Sequence, residues 1–248
     1  MVSVRQPRTS INTTKRRQRK HRQHRSERKH RDERPTIRFT PYAWAKLLFL
    51  RDCGDTEVSA FAVSAADDLL RIEDVRLVRQ QCTPASTLFT DDAVDDLQIE
   101  LQPTLHQSDQ CGRIWIHTHP GECAEPSAMD EETFEQSFGD VDWSLMFILA
   151  ANGEVYARLQ LHRPPACSRR LNVEVDYSRE FRPSDFPGWQ AEYDRCLETL
   201  DPMQLPLDHE SRLPIRRADY GHPDAQVRAA VASEWLAHCD ADPLFQDD

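Results

Sequence analysis

Apolar and polar positions along the chain predict a succession of short elements between residues 36 and 178. Tyr42, Lys46 and Phe49, with Ala45, Leu48 and Leu50 alongside them, predict a first helix. Thr40-Pro41 opens it and Cys53-Gly54 closes it. Thr56 to Ala65 reads as a strand that turns at Ala66-Asp67-Asp68 into a partner over Leu69–Val78, where Leu70 and Ile72 alternate with polar neighbours. Ser86–Thr90 is a third short strand. Asp91–Leu101 is a helix whose leading acids suit the positive end of its dipole. Gly112–His119 is an apolar strand running into two histidines, and Ser127–Phe138 begins a further helix. Trp143–Ala151 and Glu154–Leu161 form a hairpin about Asn152-Gly153, a dipeptide that favours the tight turn such pairs require.

Leu171–Val175 adds an edge strand; beyond Pro183 the chain becomes acidic and proline-punctuated, with helices expected near 189–200 and 223–239. Trp189, Tyr193 and Leu197 fall at helical spacing and read as docking residues. No internal repeat is visible. Helices and strands in this mixed order predict an α/β domain over 36–178, with a mixed sheet flanked by helices, then an acidic helical extension over 179–248.

Charge divides the chain differently. Its net charge of −11 conceals a segment, residues 1–34, with 13 Lys and Arg against 3 Asp and Glu, or +10; the rest holds 18 against 39, or −21. A stretch such as KRRQRKHRQHRSERKHRDER cannot bury enough apolar surface to offset chain entropy, which predicts a disordered basic tail over 1–35. Such a tail is either a solubilising extension or an arm that touches nucleic acid or another polyanion. The longest apolar run, Leu145 to Ala151, is strand-sized and far below the roughly 20 residues of a membrane span. Seven cysteines without CxxC spacing, and a basic N-terminus with no apolar stretch behind it, predict a cytoplasmic protein with reduced thiols.

The candidate chemistry lies in His117-Thr118-His119-Pro120 and the ten residues to Asp130. Histidines two apart on a strand project from one face, so both imidazoles can reach one ion. Pro120-Gly121 then turns the chain, and Asp130 in the first turn of the next helix can return an oxygen ligand. Two nitrogens and one carboxylate leave one tetrahedral position open, as in catalytic zinc sites. Ser127-x-x-Asp130 also fits a helix capping box, and that alternative stands beside the metal reading.

HTHPGECAEPSAMD resembles the JAMM motif of the JAB/MPN metallopeptidase family, H-[ST]-H-P-x6-S-x-x-D, at every fixed position. Glu57, in TEVSAFAVS, sits where that family carries an upstream glutamate. The resemblance covers roughly residues 37–162 and is closest to compact bacterial members. It implies a cytidine-deaminase-like fold and hydrolysis of amide or isopeptide bonds, as at the C-terminal tail of a ubiquitin-like or sulfur-carrier protein. It further implies Zn2+ held by His117, His119 and Asp130, with Glu57 as general acid/base and Ser127 as an oxyanion donor. Ser59, Ala60 and Phe61 stand where the family often has a glycine, and Glu73 and Asp74 are the alternative acids. Cys123 falls in the loop over the site, as a plain loop residue or a redox-sensitive thiol. Competing expectations are a non-catalytic JAB/MPN-type binding module and a RadC-like DNA-associated protein, the latter suggested by Pro126-Ser127 and the basic tail.

Overall fold

A computed structural model describes residues 34–106 and 108–200; residues 1–33 of the expected basic tail, the helix at 223–239 and Cys239 lie outside it. The described chain is mixed α/β. Its strands are β1 (Thr36–Phe39), β2 (Ser59–Ala65), β3 (Asp68–Leu77), β4 (Gln80–Thr83), β5 (Ser86–Phe89), β6 (Cys111–His119), β7 (Trp143–Ala150), β8 (Val155–Leu161), β9 (Cys167–Arg170), β10 (Asn172–Val175) and β11 (Leu197–Thr199). Among the described residues four α-helices accompany them: α1 (Pro41–Asp52), α2 (Asp91–Leu101), α3 (Ala128–Phe138) and α4 (Phe186–Cys196).

Eight strands form one mixed sheet in the order β10-β1-β3-β2-β6-β7-β8-β9, and β11-β4-β5 form a smaller one. The two ends of the large sheet, β9 and β10, are separated in sequence by Leu171 alone, whose N–H donates to the Ala157 carbonyl at 2.9 Å. One bent stretch of chain therefore joins both ends of the order, and the sheet curls round on itself.

The concave side holds α1. Ala43, Leu47 and Leu50 pack with Ile37, Phe39, Ile72, Ile116, Phe147 and Leu159. On the opposite face, Phe61, Trp115, Met146 and Ile148 are covered by Val94 and Leu97 of α2 and by Phe134 and Phe138 of α3. Strand β7 is buried along its whole length because it is covered on both faces, which is why its sequence is an unbroken apolar run. Its parallel neighbour β6 shares that cover, and the pairing runs to His119 opposite Ala150.

Several boundaries differ from expectation. The strand expected from Thr56 begins at Ser59, since β3 ends opposite Ala60 and no strand of the large sheet pairs with the residues before it on that side. β1, β4, β9 and β11, each of three or four residues, carry too little pattern to be predicted. The helix expected at 189–200 starts at Phe186, capped by the Asp185 side chain accepting from Gly188 N–H. It ends at Cys196 because Leu197–Thr199 pairs in parallel with β4. This part of the C-terminal segment is docked on the domain: Trp189 is 1% exposed, lies edge-on to Tyr42 and donates from Nε1 to its hydroxyl at 3.0 Å.

Candidate metal centre

His117 and His119 lie at the C-terminal end of β6, where the alternation of the strand sends both side chains to the face carrying Trp115. Their rings are 5.0 Å apart between centroids. Trp115 stacks on His117 at 4.3 Å and donates its indole N–H to Ser59 Oγ at 3.1 Å, so the first imidazole rests on a fixed plane. After His119 the chain turns, and its return is held by Ala151 N–H, which reaches the carbonyls of His119 and Gly121 at 3.0 Å each. Asn152 Nδ2 donates to the Glu122 carbonyl at 2.8 Å.

This loop delivers Asp130 in the first turn of α3. Asp130 Oδ1 is 3.3 Å from His117 Nε2, and Oδ2 is 3.5 Å from His119 Nε2. One ligand atom from each of the three residues falls within 4.8 Å of the other two, so the cluster could hold a metal ion.

The donor set fits a metal. Both Nε2 atoms are buried without hydrogen-bond partners in the described structure, as is Nδ1 of His117. Buried polar atoms left unpaired are costly, and a shared cation facing a carboxylate is one way to satisfy both Nε2 atoms at once. His119 Nδ1 lies 2.8 Å from the Cys123 carbonyl, and donation there fixes the tautomer that leaves Nε2 as the ligand atom. The Cys123 side chain is exposed, so the contribution of this residue to the cluster is its backbone carbonyl.

Protonation follows the same geometry. Burial pushes the His117 pKa down, with Asp130 opposing. For His119 burial also acts downward, but Asp130, the Cys123 carbonyl and Glu57 together raise the pKa above 6.5. Burial works against Asp130 ionising, yet the two histidines and the Ser127 N–H hold its pKa well below the carboxylate range.

Glu57 lies two residues before β2, in the same alternation as Ser59 and Phe61. Its Oε1 is 4.0 Å from His119 Nε2, and its side chain is 12% exposed. Burial pushes its carboxyl up to about 7; the His119 charge opposes this and Asp130 reinforces it. Glu73 and Asp74 are elsewhere, engaged with Arg71 and with Lys46 and Arg182 respectively. Ser127 caps α3: its Oγ accepts from Asp130 N–H at 3.2 Å, and its own N–H donates to Asp130 Oδ2 at 2.7 Å. The capping box thus orients the carboxylate, and its bonds leave the serine's hydroxyl proton uncommitted.

Ser59, Thr118, Gln80 and the Cys123 carbonyl also shape the site. None carries a sequence signal for these contacts, since each depends on strand register or loop path. The chain matches no protein-family model and no curated protein.

Proposed function

We propose that the chain is a zinc-dependent amide hydrolase of JAB/MPN type, acting at the C-terminal tail of a ubiquitin-like or sulfur-carrier protein. The observation that carries this reading is the pair of unpartnered Nε2 atoms converging with Asp130, beside a half-buried carboxyl 4.0 Å from one of them. His117, His119 and Asp130 would hold the zinc, which would supply a Lewis acid that lowers the pKa of a bound water toward neutrality. Glu57, beside the ligand cluster and partly desolvated, would accept a proton from the attacking water and return it to the departing amine. Ser127 Oγ, anchored by the Asp130 N–H, donates to the oxygen on which negative charge develops. His117 is held by Trp115, and His119 by the Cys123 carbonyl, so neither imidazole must reorganise during the reaction. The filled ligand set weighs against a purely scaffolding role, for which three converging metal-binding side chains have no use.

The test is cleavage of a ubiquitin-like domain bearing a fluorogenic aminocoumarin amide at its C-terminus. Release of the amine is expected, lost on chelation and restored by zinc. Cleavage indifferent to chelation, or none across a panel of ubiquitin-like and sulfur-carrier tails by protein holding one zinc per chain, overturns the proposal.

A further inference from the structure

Glu57 sits just before β2, beyond the regular ladder, yet the three N–H groups of residues 57–59 are all bonded. Glu57 N–H donates to the Thr83 carbonyl at 2.9 Å. Val58 N–H donates at 3.1 Å to the Thr118 hydroxyl, while Thr118 N–H donates back to the Val58 carbonyl at 3.0 Å. Ser59 faces the side that β3 has vacated. There the Gln80 carboxamide replaces the absent strand, accepting from Ser59 N–H and donating to Ser59 C=O, both at 2.7 Å. The same carboxamide nitrogen reaches the Val78 carbonyl at 3.0 Å, and Gln80 is 4% exposed.

Thr118 is 2% exposed and stands between the two histidines, its side chain on the opposite face of β6. Its hydroxyl therefore connects the backbone bearing the carboxylate to the backbone bearing the ligands, with no flexible link between them. Gln80 holds the same segment from the other side.

We infer that Thr118 and Gln80 are positioning residues for Glu57, two side chains that complete the sheet where its strands run out and so fix the carboxylate against the metal cluster. This rests on the reading of Glu57 as the acid/base group. Reacting groups displaced by about 1 Å lose on the order of 10² in rate. Thr118→Val keeps the shape of the side chain and removes the acceptor; Gln80→Met keeps length and removes both bonds to Ser59.

The experiment uses the full chain loaded with zinc and the ubiquitin-like aminocoumarin amide. Each variant is expected to retain wild-type zinc, with KM within about twofold and kcat lower by roughly 10- to 100-fold. Thr118→Ser, which restores the hydroxyl, should recover kcat to within about threefold of wild type. Residues acting through one group are not additive, so Thr118→Val should cost nothing further in a Glu57→Gln background. Amide exchange at residues 57–59 should accelerate in both variants.

Unchanged kcat in Thr118→Val, failure of Thr118→Ser to recover it, or an undiminished loss in the Glu57→Gln background would each overturn the inference. Should Thr118→Val not fold, Gln80→Met carries the same comparisons. If the wild type, with zinc bound, cleaves none of these tails, the proposed function fails separately. Exchange then decides: acceleration confined to residues 57–59 with zinc retained supports the bracket, and unchanged exchange refutes it.

Discussion

At the scale of single residues, the groups of the site differ in burial and in partners, and the consequences of removing them differ in kind. Glu57→Gln keeps the shape of the side chain and removes its basicity, so zinc binding and folding should persist. Turnover should fall by about 10²- to 10⁴-fold, read as kcat on the same amide substrate. Ser127→Ala removes both a hydroxyl donor and a helix cap. A rate loss of roughly 10²- to 10³-fold supports the donor role. A stability loss of about 1 kcal/mol in denaturant titration, with turnover kept, assigns the serine to capping alone.

Proton competition gives a further residue-level expectation. A metal displaces any proton on His119, whose pKa in the free protein lies above 6.5. Zinc affinity should therefore be independent of pH above that pKa and weaken below it, by about tenfold per pH unit for one displaced proton. Calorimetric titrations across pH 5 to 8, roughly spanning the imidazole range, would show it. Affinity that rises on acidification contradicts the assignment of Nε2 as ligand.

At the scale of elements, a helix beyond the expected domain boundary fastens the first helix to the sheet. Lys46, 2% exposed, reaches Glu192 of α4 at 2.5 Å and Asp74 of β3 at 3.4 Å. Glu192 also accepts from Leu77 N–H at 2.9 Å and Arg76 at 3.3 Å. Removing one member of such a buried set strands the charge of another, so Glu192→Ala should cost about 3–5 kcal/mol by denaturant unfolding. A cost below about 1 kcal/mol, the worth of an exposed pair, would mean the set is solvated in solution.

The sequence made this lock hard to see, because a lysine among apolar positions reads as a helix surface until its partner, 146 residues away, is placed. The long central strands and the three helices before residue 139 were legible, since each has several periods of pattern. Short strands such as β4 and β9 were not, because their pairing comes from neighbours rather than from their own residues. His117, His119 and Asp130 could be read together because one strand and one capped helix bring them close within 14 residues of chain. Gln80 and Thr118 act through backbone register, which leaves no mark on residue spacing.

At the scale of the whole molecule, the chain joins an acidic body to a strongly basic N-terminal segment of +10 over residues 1–34. The described chain meets that segment at Arg34, whose carbonyl accepts from Nδ2 of Asn172 in β10, and His117, His119 and Asp130 all lie far along the sequence. Deleting residues 1–33 should leave zinc content and amide cleavage intact while abolishing any binding to duplex DNA or another polyanion. In the intact protein such binding should fall steeply between about 50 and 200 mM salt, because neutralised phosphates release counterions. Loss of folding or of zinc on truncation would place the segment within the domain itself. No helix among the described residues is long and apolar enough to cross a membrane.

The central claim, that His117, His119 and Asp130 hold a catalytic metal, is tested most directly by counting metal per chain. Protein purified without a histidine tag should carry close to one zinc, and Asp130→Ala should carry almost none while its fold persists. Stoichiometric zinc in Asp130→Ala, or none in zinc-supplemented wild type, would contradict it.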